Sequence, residues 1–293
     1  MKYIYIYMKT KKAPFKKLSC HPRKTKRSYT CYNDNALMEL RDLWNRKYPD
    51  KKIVHTEQKK IWNALRNNMK DCDQEVCWME KLELGKDTSR RIIKDNFAPV
   101  PPKEWKSNDR EWLSNEDIDE VLDQYQNTYP EFAYIHASPM DFDTKVGDRC
   151  VSEDLCKIDL ASYRKKGKTK IGIVLNLDAH DRGGSHWVCM WIDLNKKTVF
   201  YFDSAGNPPT KEVNVLADRL KQQGKAMGLT LKYRDNRNKA HQTTTSECGM
   251  YVLYFIIHLL KKKKKLNTFN RTRVKDDEVA KYRDVYFNRV IAK

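Results

Sequence analysis

A cysteine stands directly before a long apolar segment in the C-terminal part of this 293-residue chain. Residues 245–250 read TSECGM, and the mostly apolar run YVLYFIIHLL follows at once. A buried helix that begins at Cys248 would place the sulfur beside unpaired backbone N–H groups, at the helix end whose dipole stabilises a thiolate. Thr245 and Ser246 are the predicted caps, and Gly249 would keep the approach open. The pattern predicts a nucleophile, although an isolated cysteine is more often structural.

A thiol nucleophile needs an imidazole within hydrogen-bond reach and a third group that orients the imidazole. His186 is the best placed of seven histidines, because GGSHWV sets it at the start of a predicted strand. A turn at Asn195 and Lys196 would return the chain along that strand. Asp203 would then lie opposite Val188, on the face that His186 shares. A shift of one residue in the turn would place Asp203 on the other face.

Attack on a carbonyl also needs donors for the oxyanion that forms. The backbone N–H of Cys248 is one candidate donor. The side-chain amide of Gln242, six residues upstream, is a second. Taken alone, Gln242 would be interpreted as an exposed loop residue.

Two other histidines are alternatives for the base. His180 lies with Asp178 and Asp181 in the loop LDAHDRGG, but a loop tip is a poor platform for a catalytic group. His258 is ten residues beyond Cys248 on the same predicted helix, too far along it to reach the sulfur.

The eight cysteines come without a secretory signal, so reduced thiols are expected. Cys72 and Cys77 lack zinc-knuckle spacing and are predicted to be buried thiols. A metal site could draw on Cys189, His186 and Cys150 or Cys156. That set has no recognised spacing, so neither a metal nor a cofactor is predicted. No apolar segment is long enough to span a membrane, and we expect a soluble intracellular protein.

The chain is strongly basic, with 58 Lys and Arg against 39 Asp and Glu and a net charge of +19. Such a charge favours polyanionic partners, whether nucleic acid, an anionic membrane surface or acidic protein. Much of it lies in residues 9–27 and residues 261–265. Residues 1–32 are predicted to be a disordered basic tail that solubilises or localises the protein, with a nucleic-acid-binding arm as the alternative.

Hydrophobic residues make up 40% of the chain, enough to bury a core, and their pattern divides it. Three amphipathic segments predict a helical arm domain over residues 33–95, its second helix capped by Thr56. The proline-rich polar segment 96–111 is a predicted linker. Residues 112–293 form the second domain, which opens with a helix capped by Ser114. In it IGIVLNL, HWVCMWIDL, TVFYFD and LTLKY predict strands, and TKEVNVLADRLKQQGKAMGL predicts a helix.

The order of HW, YFDS, Q and SECG resembles the papain-like cysteine proteases that include adenovirus endopeptidase and the SUMO proteases. The resemblance implies an α+β fold with a central mixed sheet packed by helices and the nucleophile at a helix N-terminus. It also implies a catalytic set, with Trp187 as a wall of the substrate channel: His186, Asp203, Gln242 and Cys248. The loop HQTTTSECG departs from the SUMO proteases, where an Asn-Gly turn and an Asp usually precede the cysteine.

The arm sequences LRDLWNRKYPD, IWNALRNNM and CWMEKL resemble the N-terminal helical arm of structural polyprotein proteases of nucleocytoplasmic large DNA viruses. The implied function is a cysteine endopeptidase that cleaves after small residues, at Gly-Gly or Ala-Gly sites of viral polyproteins, in the virion and host cytoplasm. A deubiquitinating or deSUMOylating isopeptidase is the first alternative. A non-catalytic DNA-binding virion scaffold is the second. DNA could also act as an activator, as it does for adenovirus endopeptidase.

Overall fold

The computed structural model describes residues 15–23 and 27–289. Contacts divide the chain into a first unit that ends at Phe97 and a second unit that begins at Ala98 and also includes residues 22 and 23. No helix in the described ranges is both long and apolar enough to cross a membrane.

The first unit is a group of four helices: α1 (Asp34–Lys47), α2 (Gln58–Asn68), α3 (Cys77–Lys81) and α4 (Lys86–Asn96). The predicted stripes of the first two helices are buried, among them Leu37, Leu40 and Leu65. The predicted Thr56 cap is wrong, because α2 starts after Glu57 and has no side-chain cap. Helix α4 was not predicted, since it buries only Ile92 and Asn96 and so carries little hydrophobic pattern.

Part of the predicted tail packs within the first unit. Leu18 is buried, Lys16 forms a 2.8 Å ion pair with Asp73, and the ring of Phe15 meets Trp62 edge-on. The prediction of disorder therefore does not hold for residues 15–23 and 27–32, because apolar side chains among the basic residues, such as Leu18 and Tyr32, are buried. Residues 1–14 and 24–26 of that tail lie outside the described residues.

Six of the eight cysteines are paired, which corrects the expectation of reduced thiols. The disulfides join residues that are close in sequence: Cys20–Cys31, Cys72–Cys77 and Cys150–Cys156. Their Cα atoms lie 5.0 to 6.3 Å apart, within the range that a disulfide can bridge. Cys72 and Cys77 are therefore not the buried free thiols that were predicted. Cys189 and Cys248 are free.

The second unit begins with the segment predicted to be a linker. Trp105, in a short 3₁₀ turn (Lys103–Lys106), is buried and packs edge-on against Phe287 at 5.1 Å between ring centroids. The predicted linker 96–111 is thus part of this unit from Ala98 onward. Helix α5 (Asn115–Thr128) follows with the predicted Ser114 cap, which forms a reciprocal capping box with Asp117.

The remaining elements are seven strands and seven helices in the described part of the second unit. They are β1 (Phe132–Pro139), β2 (Lys145–Val146), β3 (Arg149–Cys150), α6 (Glu153–Cys156), α7 (Leu160–Lys165), β4 (Lys170–Asn176), β5 (Trp187–Asp193), β6 (Thr198–Phe202), α8 (Lys211–Ala226), β7 (Lys232–Asp235), α9 (Cys248–Leu260), α10 (Leu266–Arg271), α11 (Asp276–Ala280) and α12 (Arg283–Tyr286). Five strands form one sheet in the order β1-β4-β5-β6-β7. Its outer pairs are parallel and its two inner pairs antiparallel, so the sheet is mixed.

Helices cover both faces of this sheet. Alternate residues of β5 divide between the faces: Cys189 and Trp191 face α9, whereas Val188 and Met190 join the core beneath α8. Every residue of α9 is buried. A helix surrounded on all sides cannot shift easily, so its first residue is a rigid platform for a reactive side chain.

Candidate active site

The β5–β6 hairpin brings a histidine and an aspartate together. Its register pairs Asp193 with Thr198 and Cys189 with Phe202, the register predicted from the sequence. His186 precedes β5 and Asp203 follows β6, so both lie at one end of the hairpin. His186 Nε2 is 2.6 Å from Asp203 Oδ1, and Asp203 is 0% exposed. The hairpin thus holds an imidazole against a buried carboxylate.

The carboxylate itself is fixed by its surroundings. The backbone N–H of Ala205 donates to Oδ1 of Asp203 at 2.8 Å, and that of Asn207 donates to Oδ2 at 3.1 Å. Asn236 holds the backbone of Asp203 from the far side, accepting from its N–H at 2.9 Å and donating to its carbonyl at 2.7 Å. Asp203 therefore has one orientation available for its contact with His186.

Cys248 is the first residue of α9 and is 1% exposed. The predicted caps Thr245 and Ser246 are wrong, because Glu247 occupies the N-cap position and gives no side-chain cap. Gly249 makes room for a neighbour, since a Cβ there would lie 3.0 Å from the side chain of Leu113. Without a capping side chain, the first-turn N–H groups are left to act on the sulfur and on whatever binds beside it.

His186 connects Asp203 to Cys248. Burial lowers the pKa of His186, but hydrogen bonds to Asp203 and Cys248, together with the charges of both, outweigh it and raise the pKa to about 9. Nε2 faces Asp203, so Nδ1 is the ring nitrogen left for the sulfur. A protonated imidazole in this position can supply a proton to a leaving group.

Gln242 is bonded to Ser204, the residue after Asp203. The Ser204 hydroxyl donates to Oε1 of Gln242 at 2.7 Å, and the Ser204 carbonyl accepts from the Gln242 backbone N–H at 2.9 Å. Nε2 of Gln242 donates one N–H to the carbonyl of Thr244 at 2.6 Å. An amide nitrogen carries two hydrogens, so a second donor is left over.

Trp187 is buried against the segment that leads into α5. Its Nε1 donates to the carbonyl of Leu113 at 2.9 Å, and the Leu113 side chain is the one that packs on Gly249. Trp112, one residue earlier, is 39% exposed. Sequence reasoning missed Trp112 and Leu113. The signal that could have found them is a pair of large apolar side chains, one of them aromatic, directly before the predicted helix cap Ser114.

Glu247 forms a buried ion pair with Arg283. Both are 1% exposed, and two guanidinium nitrogens of Arg283 lie 3.1 and 3.2 Å from Oε2 of Glu247. Arg283 also donates to the carbonyls of Asp109 and Glu111 and lies over the ring of Trp105. This single side chain therefore ties the residue before Cys248 to the start of the unit.

Comparison with known proteins assigns this arrangement to a family. Residues 166–290 match the Ulp1 protease family, C-terminal catalytic domain. The putative thiol protease of Acanthamoeba polyphaga mimivirus is 28% identical over 293 aligned residues, covering 92% of each chain. The SUMO-1 cysteine protease of African swine fever virus is 30% identical over 233, covering 74% of this chain and 83% of that protein. The chain belongs to the Ulp1 protease family of cysteine peptidases.

The fold of this Ulp1-family protease has a solved counterpart. The crystal structure of the African swine fever virus protease matches with a TM-score of 0.66 and 24% identity, over 92% of this chain and 95% of that chain. The predicted α+β fold, with a central mixed sheet packed by helices and further helices at the N-terminus, is confirmed. So is the resemblance to cysteine proteases of large DNA viruses.

The alternative bases lie elsewhere in the Ulp1-family protease. His180 pairs with Asp141 at 2.6 Å and is exposed. His258 is buried, with Nδ1 2.8 Å from the carbonyl of Tyr254 and Nε2 3.0 Å from the hydroxyl of Tyr282. Neither makes a hydrogen bond with Cys248, whereas His186 does.

The alternative metal site has no support in the described ranges. They contain no group of three or more His, Cys, Asp or Glu side chains that could hold an ion. Two of the ligands considered, Cys150 and Cys156, are joined to each other and so have no thiolate to offer.

Proposed function

We propose that the chain is a cysteine endopeptidase whose reaction uses His186, Asp203, Gln242 and Cys248. The observation that carries the proposal is the position of His186, which bonds the buried Asp203 on one side and the first residue of a buried helix on the other. This is the nucleophile, base and orienting group that thiol catalysis requires.

The proposed reaction follows from the contacts. His186 takes the proton of Cys248, and the thiolate attacks the scissile carbonyl. The free N–H of Gln242 and the backbone N–H of Cys248 hold the oxyanion. His186 then protonates the leaving amine, and water releases the acyl group from the sulfur. Asp203 keeps the imidazole in one tautomer and orientation throughout.

We further propose that cleavage follows small residues, at Gly-Gly or Ala-Gly sites. Trp187 adjoins His186 in sequence, and its ring is anchored by the carbonyl of Leu113. Leu113 in turn packs against the residue after Cys248. An apolar wall fixed in this way cannot move aside for a large side chain. The half-exposed Trp112 is proposed to extend the same wall toward solvent.

Viral structural polyproteins are the proposed substrates, cleaved in the host cytoplasm and the assembling virion. The support is that the relatives which cover most of the chain are thiol proteases of large DNA viruses. Removal of a ubiquitin-like modifier is the second candidate, because one relative is named a SUMO-1 cysteine protease.

Two fluorogenic substrates separate these candidates: a peptide containing Gly-Gly and a folded ubiquitin-like conjugate. Each is incubated with the wild type and with Cys248→Ala. We expect turnover of the peptide, lost in the variant. Preferential turnover of the conjugate would favour the deconjugating activity. Persistent cleavage by Cys248→Ala would contradict the mechanism.

A further inference from the structure

The conformation of the loop that carries Gln242 is fixed mainly by residues outside the loop. Residues 241–247, here called the Gln242 loop, are the last part of the connection between β7 and α9 and contain no helix or strand. Such a segment has no ladder of backbone hydrogen bonds to fix its shape, so its conformation depends on other partners. One partner is Ser204, whose carbonyl accepts from the backbone N–H groups of His241 and Gln242. Most of the other hydrogen-bond partners outside the loop come from the chain after α9.

The first of these contacts lies just before Gln242. Both ring nitrogens of the completely buried His241 are used: Nδ1 accepts from the backbone N–H of Val274 at 3.0 Å, so Nε2 donates to the carbonyl of Phe269 at 2.9 Å. Burial lowers the pKa of His241 to about 4. Arg273 donates to the carbonyl of His241 at 2.9 Å. The neutral ring therefore holds the Gln242 loop against the C-terminal segment through two hydrogen bonds.

The second set of contacts lies just after Gln242. Asp276 accepts from the backbone N–H of Thr243, 3.0 Å away, and from the Thr243 hydroxyl. The hydroxyl of Tyr251, one turn along α9 from Cys248, lies 2.9 Å from the other carboxylate oxygen. Asp276 thus joins the Gln242 loop to the helix that presents the nucleophile.

We propose that Asp276 is a positioning residue for Gln242. By fixing Thr243 against Tyr251 it sets the distance between the Gln242 amide and Cys248, and so keeps the free N–H directed at the forming oxyanion. The inference rests on the proposed role of Gln242. It adds that the chain after α9 completes the oxyanion site, although none of its residues touches the substrate.

The test compares Asp276→Ala with Asp277→Ala, a matched control at the exposed neighbouring carboxylate. Hydrolysis of the Gly-Gly peptide by Asp276→Ala is expected to fall roughly 10- to 100-fold, in kcat and not in KM, because a displaced donor weakens only the transition state. Asp277→Ala should retain wild-type rates. Circular dichroism and the thermal midpoint report whether each variant folds.

Two further readouts separate positioning from a structural role. Alkylation of Cys248 by iodoacetamide forms no oxyanion, so its rate should be unchanged in Asp276→Ala. When Gln242 is already replaced by Ala, adding Asp276→Ala should reduce hydrolysis by less than about threefold. The reason is that Asp276 is proposed to act only through the Gln242 amide, which is no longer present. Equal losses in alkylation and hydrolysis, or a full additional loss in that background, would overturn the inference.

Failure of the proposed function gives a different pattern. A Gln242→Ala variant with wild-type kcat would remove the role of Gln242 itself, and the inference with it. If the wild type cleaves no peptide, affinity for a Gly-Gly peptide aldehyde replaces turnover, since the oxygen of its hemithioacetal occupies the same position. Weaker aldehyde binding by Asp276→Ala, but not by Asp277→Ala, supports the inference, and equal binding contradicts it.

Discussion

At the scale of single residues, the proposed chemistry depends on the charge state of His186. Its pKa is raised to about 9 against the effect of burial, by Asp203 and Cys248. The imidazolium is therefore present below about pH 9 and is lost as the pH rises through that value. The value of kcat/KM should therefore decrease as the pH rises through about 9, because only the protonated ring can assist the leaving amine.

Replacing Asp203 by Asn tests this account. The amide keeps the shape of the side chain but removes its charge, so the pKa of His186 should fall and the alkaline limb of the kcat/KM profile should move to lower pH. We expect kcat/KM to drop by roughly 100-fold or more, since the ring also loses its tautomeric control. Asp181→Asn, at an exposed loop carboxylate, is the control and should behave as the wild type. An unshifted limb would mean that Asp203 orients the ring without setting its charge.

Sequence reasoning brings together the proposed catalytic residues more readily than the residues that support them. His186 and Asp203 could be paired because the hairpin register follows from one short turn. The contacts of Ser204 and Asn236 could not be predicted, since each bonds a partner more than thirty positions away. Such contacts depend on the conformations of loops. Loops have no regular spacing of apolar residues from which their conformations could be predicted.

At the scale of elements, the start of α9 depends on the ion pair between Glu247 and Arg283. Replacing Arg283 by Met would leave a carboxylate buried without its partner, and we expect this to cost about 3–5 kcal/mol of unfolding free energy. Urea denaturation of both proteins measures the difference. Arg271→Met, at an exposed arginine, should change stability by less than about 0.5 kcal/mol. Equal effects of the two substitutions would contradict the assigned role of the pair.

The elements that sequence reasoning predicted are those with a strong apolar period. Strands β4 to β6 are continuous apolar runs, and α8 has a clear helical stripe. Strand β1 was missed, although FAYIHASP is extended and its first four residues are buried. That segment mixes polar and apolar residues over a length that fits either a strand or a loop. Tertiary packing decided its conformation.

At the scale of the whole molecule, a net charge of +19 leads us to propose polyanion binding, with DNA as a possible activator. Affinity for duplex DNA should fall by roughly 1,000-fold or more between about 50 and about 200 mM salt. Replacing the exposed Lys262 and Lys263 by Ala should make the affinity for DNA less dependent on salt. The same change at the exposed Lys51 and Lys52 serves as the control. Peptidase assays with and without DNA then test activation. Binding that is insensitive to salt would contradict the proposal.

The division into two parts was predicted, but its position was not. The sequence places a linker over residues 96–111, because prolines and polar residues dominate there. Phe97 instead closes the first unit, and Trp105 packs into the second. A few aromatic side chains are enough to pack a polar segment against a core. The average composition of the segment does not reveal them, because polar residues outnumber them.

The contacts that follow α9 also set when the enzyme can act. A chain leaves the ribosome from its N-terminus, so His186, Asp203 and Cys248 emerge before Asp276 and Arg283. Until those last residues are free, the Gln242 loop lacks its anchors and Glu247 lacks its partner. On the proposed role of Asp276, we expect a nascent chain to cleave its substrates more slowly until Asp276 has left the ribosome.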